Sequence, residues 1–600
     1  MVSPGKIVLC GLNARYVHSS LALHSLQAYL RDRLPAGLKT VLFEWTINDQ
    51  ALAVVQRLYL LDADIYAFSC YIWNISLIRN ICQQLKQVRP QALILWGGPE
   101  VSFSATRWLE TEPAVDLIIR GEGEAALLSL LQSICPDGRS ACRCRPASPT
   151  DLSLVPGLTW RNPFNGLITE NPPGRLLAPD EWPFPYSDKD LTCLKDRIVY
   201  YETSRGCPFQ CSYCLSALDR TVRHRPLPQV FAELDQLLGA GLKQVKLVDR
   251  TFNCQPQRAL KIWQYLIERK NIAGETNFHF ELAGDLLDDE AIELLQAAPP
   301  GFFQFEIGVQ SIHSEVLRSI NRPCNLEVLA RQVKRLRETG NIHLHLDLIA
   351  GLPGETADEF GASLDWVYAL RPHQLQLGFL KILPGTPILR QASDRNFRWQ
   401  KEAPYEILQS DAMSFADLIH LKNISRVVEL FYNSGLFERS LIWLASCWPR
   451  PFLFLSDLAD YAYRNQYLER SLGVEERSRL LWQFAIESQT ELNTDPWLMN
   501  CWRDLIRLDY ISGGQKDLPA WLGFWESDSD PESRNRLQAA RQYFRQRFPD
   551  CRRPRVDRYA FNLAAFLENG QFQPGETLAC FDLSGDQPAL LDNRASDDLY

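Results

Sequence analysis

The stretch that decides the fold lies between residues 197 and 215 and reads Arg197-Ile-Val-Tyr-Tyr-Glu-Thr-Ser-Arg-Gly-Cys-Pro-Phe-Gln-Cys-Ser-Tyr-Cys-Leu215. Its apolar and aromatic residues at 198–202 predict a buried strand. Cys207, Cys211 and Cys214 follow with the spacing Cys-x3-Cys-x2-Cys. Three thiolates on one short loop can hold three irons of a 4Fe-4S cluster and leave the fourth iron open to a small ligand. The spacing therefore predicts a cluster at the end of a strand.

A structural zinc site is the alternative for this loop. It requires a fourth ligand, for which Cys193 and Cys254 are the candidates. Neither forms a paired Cys-x2-Cys unit with the three cysteines, so the iron-sulfur cluster is favoured.

Strand-helix alternation continues downstream of the cysteines. Apolar runs predict six strands at 198–202, 244–249, 277–283, 302–310, 342–351 and 374–382, with helical patterns after most of them. Six such units predict a (β/α)6 partial TIM barrel over residues 197–385. The site of a parallel barrel belongs at the carboxyl ends of its strands.

The first 135 residues alternate in the same way. Five apolar strands at 6–12, 40–45, 64–70, 92–98 and 115–121 predict a doubly wound, five-stranded parallel sheet. Ligands of such sheets bind beyond the carboxyl ends of the strands. Small or polar residues stand at those ends: Asn13, Ser69, Gly97, Gly98, Gly121 and Glu122. The glycines can be ordinary turn formers, but their recurrence at successive strand ends favours a binding face.

Two regions lack this alternation. Residues 136–196 are rich in Pro, Ser, Asn and Gly and predict a connector with a hairpin around Asn165-Gly166. Cys135, Cys142 and Cys144 match no standard metal site and are interpreted as inert thiols. Residues 386–600 predict a mostly α-helical domain of unknown function. Their Arg-rich stretch 534–558 can contact RNA, but a charged surface helix is the favoured interpretation.

Composition narrows the protein class. The 600 residues are 46% hydrophobic and 22% charged, which is typical of a globular chain and excludes collagen-like and largely disordered proteins. The net charge of -9 argues against wholesale coating of nucleic acid. No signal peptide or membrane-spanning run is recognised, so we expect a cytoplasmic protein that does not enter the membrane and whose thiols are reduced.

The cysteine loop, with Tyr213 before its last cysteine, resembles that of the radical S-adenosylmethionine (SAM) superfamily. The segments 248–253, 305–311 and 347–355 resemble successive strand ends of that superfamily, in the same order. Similarity to its oxygen-independent coproporphyrinogen oxidase branch implies that Glu281 binds the SAM ribose and that Gln310, Arg322 and Asp347 complete a polar cradle. Taken singly, Glu281 or Asp347 is also explained as a strand-end hydrogen-bonding group, and Arg322, before Pro323, as a helix end.

The N-terminal region resembles the cobalamin-binding domain of the cobalamin-dependent radical SAM branch. The resemblance implies that Asn13, Ser69, Gly97, Gly98, Gly121 and Glu122 face cobalamin. The chain has no Asp-x-His-x-x-Gly motif. We therefore expect no histidine ligand on the lower face of the cobalt, and we interpret His18, near the first loop, as a hydrogen-bonding group.

These resemblances imply an enzyme that cleaves SAM at the cluster to a deoxyadenosyl radical and uses cobalamin to methylate or rearrange an unactivated carbon. The substrate, a small molecule or a peptide, stays unassigned, as do the catalytic residues; the electron donor is expected to be a flavodoxin or ferredoxin. One alternative is a methylthiotransferase-like enzyme acting on RNA, with a second cluster at Cys10, Cys70 and Cys82. The other is a non-catalytic binding protein that retains the fold, which the intact cysteine triplet opposes.

Overall fold

The computed structural model describes residues 5–35, 37–134, 152–162, 165–488, 494–523, 531–584 and 589–595. Cys135, Cys142 and Cys144 lie outside these ranges. The chain forms two compact units, Met1–Glu355 with Phe379–Ala412 and Thr356–Gly378 with Met413–Tyr600. Among the described residues, no helix is both long and apolar enough to cross a membrane.

The N-terminal region forms a seven-stranded sheet in the order β2-β1-β3-β4-β5-β6-β7. Its strands are β1 Gly5–Asn13, β2 Leu38–Thr46, β3 Ile65–Ser69, β4 Leu93–Gly97, β5 Leu117–Ile119, β6 Leu158–Arg161 and β7 Ile168–Glu170. The first five are parallel, as predicted. The predicted connector hairpin is present as β6 and β7, and β6 pairs antiparallel with β5. The connector thus extends the sheet instead of only linking two domains.

Helices cover both faces of this sheet, which is why its strands are apolar throughout. The helices are Leu21–Leu30, Ala51–Leu61, Ile75–Val88, Pro99–Ser102, Ala105–Thr111 and Gly123–Ile134. One hydrophobic core joins the sheet to Ala51–Leu61 and Ile75–Val88, and a second joins its other face to Leu21–Leu30 and Gly123–Ile134. The carboxyl ends of the strands are left free for the loops discussed below.

The predicted partial barrel is also present. Its strands in the first unit are β8 Ile198–Tyr201, β11 Gln244–Leu247, β12 Asn277–Leu282, β13 Phe303–Gln310 and β14 Ile342–Ala350, and the predicted sixth strand is present in the chain as β15 Gln374–Phe379. The five strands in the first unit are parallel and pair in chain order from β8 to β14. Between β8 and β11 the short strands β9 Ser204–Arg205 and β10 Arg223–His224 form a hairpin around the cysteines. The main helices that follow strands are Leu227–Gly239, Pro256–Glu268, Asp289–Leu295, Leu326–Thr339 and Ala357–Ala369.

Shorter elements complete the first unit. The helices Asp188–Cys193, Lys270–Ala273, Ser314–Ser319 and Ile388–Asp394 lie between the main elements. The strands β16 Arg398–Trp399 and β17 Ile407–Gln409 pair antiparallel.

The C-terminal region is mostly helical, as predicted, but it also contains a sheet that the sequence analysis missed. Its helices are Phe415–Val427, Glu438–Ala445, Pro451–Arg464, Val474–Ser488, Pro496–Ser512, Ala520–Gly523, Pro531–Arg547 and Leu563–Asn569. The strands β18 Pro554–Phe561, β19 Pro574–Asp582 and β20 Ala589–Ala595 form an antiparallel sheet. Within the Arg-rich stretch, Arg547 pairs with Asp592 at 3.1 Å and Arg555 with Asp557 at 2.6 Å. The stretch is thus helical only as far as Arg547 and continues into β18, and RNA binding stays untested.

Candidate active site

The cysteine loop is fixed to the barrel at its start by Asp249, which follows β11. Its carboxylate accepts hydrogen bonds from the Thr203 amide at 2.9 Å and from the Ser204 hydroxyl at 2.6 Å. Burial raises the pKa of Asp249, and the hydrogen bonds from Ser204 and Thr203 oppose that rise. Asp249 lies in the segment 248–253, from which no such role could be predicted. Because Asp249 is fully enclosed, it holds the end of β8 in one position relative to the cysteines.

Gly206 makes the turn into the first cysteine. Its φ is +95°, and a Cβ there would lie 2.4 Å from the Thr221 carbonyl oxygen. Only glycine avoids both the left-handed strain and this clash. The Cys207 amide then donates to the Asp219 carbonyl at 3.0 Å, so the backbone folds back on itself around the thiols.

The three cysteines lie on this one loop as free thiols. Cys207 and Cys211 are buried and Cys214 is half-buried. Burial raises the pKa of Cys207. Within the described ranges, no group of three or more His, Cys, Asp or Glu side chains is arranged closely enough to hold a metal ion. The donor set, three soft thiols on a short loop, is nevertheless the type that iron-sulfur clusters use, and the cluster assignment stays a prediction.

Two of the predicted SAM residues lie together beside this loop. The Arg322 guanidinium donates from Nη2 to the Gly308 carbonyl at 2.5 Å and from Nη1 to the Cys211 sulfur at 3.7 Å. A Cβ on Gly308 would lie 2.2 Å from the Gln310 amide nitrogen, so Gly308 leaves the room that this amide occupies. The buried Gln310 Oε1 has no hydrogen-bond partner within the described structure. An orphaned acceptor and a guanidinium beside the cysteines form a suitable cradle for a polar, charged cofactor.

Of the predicted SAM residues, Gln310 ends β13 and Glu281 is the last residue but one of β12, whereas Asp347 lies three residues before the end of β14. Arg322 is not on a strand; it follows the helix Ser314–Ser319 and reaches back to the end of β13. Glu281 and Asp347 lie within β12 and β14, and both already have ionic partners. Lys246 lies 3.4 Å from Glu281, and His345 lies 2.9 Å from Asp347. Strand alternation explains this, because polar residues at every second position face the interior of the barrel.

The inner face of the barrel carries a continuous ionic network. Lys246 lies 2.9 Å from Glu306, and the His279 ring nitrogen Nε2 lies 3.0 Å from the same carboxylate. Burial would raise the pKa of Glu306, but the hydrogen bond from His279 and the charge of Lys246 outweigh it, so the pKa is well below its usual range. Sequence reasoning missed this network. The alternation of apolar and polar residues in β12–β14 could have predicted it, because this pattern indicates a polar face inside the barrel and not an interior filled by apolar layers.

The loops of the N-terminal sheet form a second candidate site, for the corrinoid. Gly98 has φ +108°, and a Cβ there would lie 2.6 Å from the Cys70 carbonyl oxygen, so Gly98 is required for packing of the adjacent loop. Gly121 has φ +77° and no atom within 4 Å of its would-be Cβ. The Ser102 hydroxyl donates to the Gly98 carbonyl at 2.8 Å and accepts from the Gly121 amide at 3.3 Å. Gly121 therefore has open space beside it, whereas Gly98 is explained by packing against Cys70, and cobalamin binding at these loops stays a prediction.

Asn13 and Ser69 lie at the ends of β1 and β3. The Asn13 amide donates to the Glu44 carboxylate at 3.0 Å and to the His18 carbonyl at 3.0 Å. The Ser69 side chain is buried, and its carbonyl accepts from the Asn74 amide at 3.0 Å. His18 itself lies 2.7 Å from the Tyr200 hydroxyl on β8. This contact agrees with the interpretation of His18 as a hydrogen-bonding group.

Glu122 has protein partners that sequence reasoning did not anticipate. Its carboxylate lies 2.6 Å from Arg223 Nη2 and 3.4 Å from Arg205 Nη1, and it accepts from the Leu177 amide at 3.1 Å. Arg205 also lies 2.7 Å from Glu124. We call Glu122, Glu124, Arg205 and Arg223 the carboxylate-arginine clamp. Two arginines already neutralise the charge of Glu122, so its carboxylate is not left free for a ligand. A role of Glu122 in binding cobalamin stays a prediction.

The clamp is backed by an aromatic ring from the connector. Trp182 is 1% exposed and lies under both arginines, 4.7 Å from the Arg205 guanidinium and 5.6 Å from that of Arg223. Such contacts stabilise a desolvated guanidinium without neutralising it. Because Arg205 precedes Gly206 and Cys207, the clamp joins the glycine loop of the N-terminal sheet directly to the cysteine loop of the barrel.

Three family models match successive parts of the chain. Residues 7–131 match the B12 binding domain, and residues 201–367 match the Radical SAM superfamily. The chain therefore contains a B12 binding domain followed by a radical SAM domain. Residues 394–564 of this radical SAM protein match a protein family of unknown function, DUF4080. These matches confirm the resemblances stated from the cysteine loop and from the strand-end glycines.

Known proteins similar to this radical SAM protein include two curated methyltransferases. It is 27% identical over 352 residues, 55% of this chain and 48% of the relative, to the cobalamin-dependent radical SAM methyltransferase TokK of Streptomyces tokunonensis. It is 25% identical over 411 residues, 63% of this chain and 58% of the relative, to 2-(S-pantetheinyl)-carbapenam-3-carboxylate methyltransferase of Streptantibioticus cattleyicolor. The chain spans about half the length of these curated relatives.

A solved structure shows the same fold. The radical SAM methyltransferase TsrM of Kitasatospora setae, with cobalamin and a 4Fe-4S cluster bound, aligns with TM-score 0.53 and 18% identity over 67% of this chain and 81% of TsrM. This likeness confirms the predicted fold class of a parallel N-terminal sheet followed by a partial barrel. The domain boundaries and the site residues stay predictions.

Proposed function

We propose that this protein is a cobalamin-dependent radical SAM methyltransferase that reductively cleaves SAM at a 4Fe-4S cluster and methylates an unactivated carbon. One observation carries the proposal: the clamp bonds Glu122, in the loop that resembles a corrinoid-binding loop, to Arg205, two residues before Cys207. A methyl group that passes between two cofactors requires their binding loops to be adjacent and rigidly held. The names of the two curated relatives support the same reaction class.

The chain's own residues would divide the work as follows. Cys207, Cys211 and Cys214 would bind the cluster, and Gln310 and Arg322 would orient the charged end of SAM beside Cys211. Glu281 and Asp347 would bind SAM after exchanging their present partners, Lys246 and His345. When bound, the cluster, SAM and cobalamin would supply the electron and the methyl group. The bare backbone at Gly97 and Gly121 would admit the corrinoid.

Anaerobic purification with iron, sulfide, corrinoid and product analysis tests this function. The proposal requires about four irons and one corrinoid per chain, and turnover that yields both S-adenosylhomocysteine and deoxyadenosine. Spectra of the reduced cobalt state should lack splitting from a coordinated nitrogen, in the native protein and in His18→Ala alike. A cluster without corrinoid would reject the methylation, and absence of both would leave a non-catalytic fold.

A methylthiotransferase-like reaction on RNA is the second candidate, and it requires another cluster in the N-terminal domain. The thiols of Cys10, in β1, and of Cys70, directly after β3, each donate to the carbonyl two residues earlier, both at 3.7 Å. The Cys82 sulfur accepts from the Trp96 indole at 3.3 Å. Burial raises the pKa of Cys10 and Cys70 well above the usual value. These contacts favour inert core thiols; about eight irons per chain would favour the second candidate.

The proposal includes an electron donor, a flavodoxin or a ferredoxin, because reductive cleavage consumes an electron that the chain does not supply. It also includes a cytoplasmic location, where the cluster thiols remain reduced. Reduction of the reconstituted cluster by a purified flavodoxin, followed by deoxyadenosine formation, tests the donor.

A further inference from the structure

A cleft of about 510 Å³ lies in the first unit, apart from the groups described so far. One wall is formed by the start of the helix Ile75–Val88 and by residues 103–111. The other wall is formed by residues 382–389 and 399–405, which follow the barrel. Its volume falls within the range of about 300–1,000 Å³ that small-molecule sites occupy.

The charge of the cleft is positive. Its lining contains the cations Arg79, Arg107 and Lys401 and one carboxylate, Glu402. Glu402 lies 4.0 Å from Arg79, which is held mainly by the buried Glu112 at 2.6 Å. Among the described residues no carboxylate forms an ion pair with Arg107 or Lys401, so these are the two cations that a ligand would use. A cleft with this imbalance attracts anions.

Aromatic rings supply the rest of the recognition surface. Trp108 and Trp399 both line the cleft, and the Lys401 ammonium lies 3.3 Å from the centroid of the Trp399 ring. Trp108 is fixed by a hydrogen bond from its indole nitrogen to the Glu100 carbonyl at 3.3 Å and by an edge contact with Trp96. Each ring has a cation over one face, Lys401 over Trp399 and, at 5.8 Å, Arg79 over Trp108, so an aromatic ligand would stack on the opposite faces.

The walls of the cleft are joined to both candidate cofactor loops. Phe103 follows the helix Pro99–Ser102, which begins directly after Gly97-Gly98, and a Cβ on Gly385 would lie 2.5 Å from the Phe103 ring. The Ile388 amide donates to the Ser212 carbonyl, inside the cysteine loop, at 2.8 Å. A ligand in the cleft would therefore contact segments that continue into the glycine loop and the cysteine loop.

We propose that this cleft binds a small anion that carries an aromatic ring, with the anionic group at Arg107 and Lys401 and the ring against Trp108 and Trp399. The ligand class follows from the two cations that have no ion pair within the described structure and from the two indole rings, and it does not depend on the proposed methyl transfer. Carboxylate and phosphate share this chemistry, because both accept the charge-assisted hydrogen bonds that Arg and Lys donate.

Calorimetric titration of the full-length protein with 1-naphthyl phosphate tests the site. Its neutral counterpart 1-naphthol and inorganic phosphate are titrated in parallel, so that the contributions of the ring and of the charge to the affinity can be measured separately. We expect 1-naphthyl phosphate to bind at least tenfold more tightly than either fragment. Arg107→Gln should weaken its binding about ten- to hundredfold, since it removes a charge-assisted contact.

The matched control is Arg57→Gln, at an exposed arginine on the helix Ala51–Leu61, outside the cleft, which should bind the probe like the native protein. Arg107 is itself exposed, so its substitution should not disturb folding. Equal affinity for 1-naphthyl phosphate and 1-naphthol would overturn the role of charge, and equal affinity for inorganic phosphate would overturn the role of the rings. Native affinity in Arg107→Gln with Lys401→Gln would overturn the placement of the site.

Discussion

Glu122→Gln is the substitution that tests the carboxylate-arginine clamp most directly. Glutamine keeps the shape of the side chain but removes the charge that faces Arg223 at 2.6 Å and Arg205 at 3.4 Å. In the variant, the largely buried guanidinium groups of Arg205 and Arg223 lose one of their negatively charged partners. The clamp should therefore weaken, and with it the attachment of the glycine loop to the cysteine loop.

The magnitude follows from the burial of the pair. Breaking a fully buried ion pair costs about 3–5 kcal/mol, whereas an exposed pair contributes about 0–1 kcal/mol. The side chains of Glu122 and Arg223 retain 17% and 12% exposure, which places the pair closer to the buried limit. We therefore expect Glu122→Gln to lower the free energy of unfolding of the first unit by about 2–3 kcal/mol.

The pH dependence of this contribution has a defined sign. Burial would raise the pKa of Glu122, but the hydrogen bond from Arg223 and the charges of Arg205 and Arg223 lower it below the usual value. A carboxyl group with a lowered pKa stabilises the folded state above its unfolded pKa, and the stability is lost as the pH falls. The difference between the native protein and Glu122→Gln should accordingly shrink in acid.

The assay is urea unfolding of the full chain followed by circular dichroism, with a double-mutant cycle that adds Arg223→Gln. Glu181→Gln is the matched control, because Glu181 and Arg175 form an equally close pair, 2.7 Å apart, on the exposed surface. The control should unfold nearly like the native protein. If Glu122→Gln shifted the transition no more than Glu181→Gln, or if the cycle gave no coupling between Glu122 and Arg223, the clamp would not hold the two loops together.

Three further predictions concern the site. Replacement of Cys207, Cys211 and Cys214 by Ala should abolish the charge-transfer absorbance of the reconstituted cluster and SAM cleavage; retention of both in the triple variant would reject the cluster assignment. Arg322→Ala should weaken SAM binding by about 1.5–3 kcal/mol, measured by equilibrium dialysis, because it removes a buried charged donor beside Cys211. Burial raises the pKa of Glu100 to about 7 from 4.5 despite the hydrogen bond from Tyr405. The stability that this protonated carboxyl contributes is present in full below about pH 4.5 and is lost as the pH rises to about 7. Glu100→Gln should remove that loss, which amounts to roughly 3 kcal/mol, from the pH profile of unfolding; an unchanged profile would contradict the raised pKa.

Several features of the fold could be predicted from local sequence. The apolar strands of the N-terminal sheet and of the barrel were recognised because buried parallel strands are apolar over their whole length. The hairpin around Asn165-Gly166 was recognised from its turn residues, although its addition to the sheet edge was not. The C-terminal sheet was missed because its strands lie between helices and are marked only by short apolar runs such as Leu578–Phe581.

The sequence by itself determined the cysteine spacing, the order of strands and helices, and the glycines at strand ends, because each of these depends on residues close together in the chain. Only the tertiary structure decided which side chains meet. It placed Arg322 beside Cys211, 111 residues away, and Glu122 against Arg223, 101 residues away. Periodicity and spacing cannot predict such pairs, because the local sequence around a charged loop residue does not show which of the many oppositely charged residues it will contact. The choice among them is made by the packing that brings the two loops together, and by the cost of leaving a buried charge unpaired.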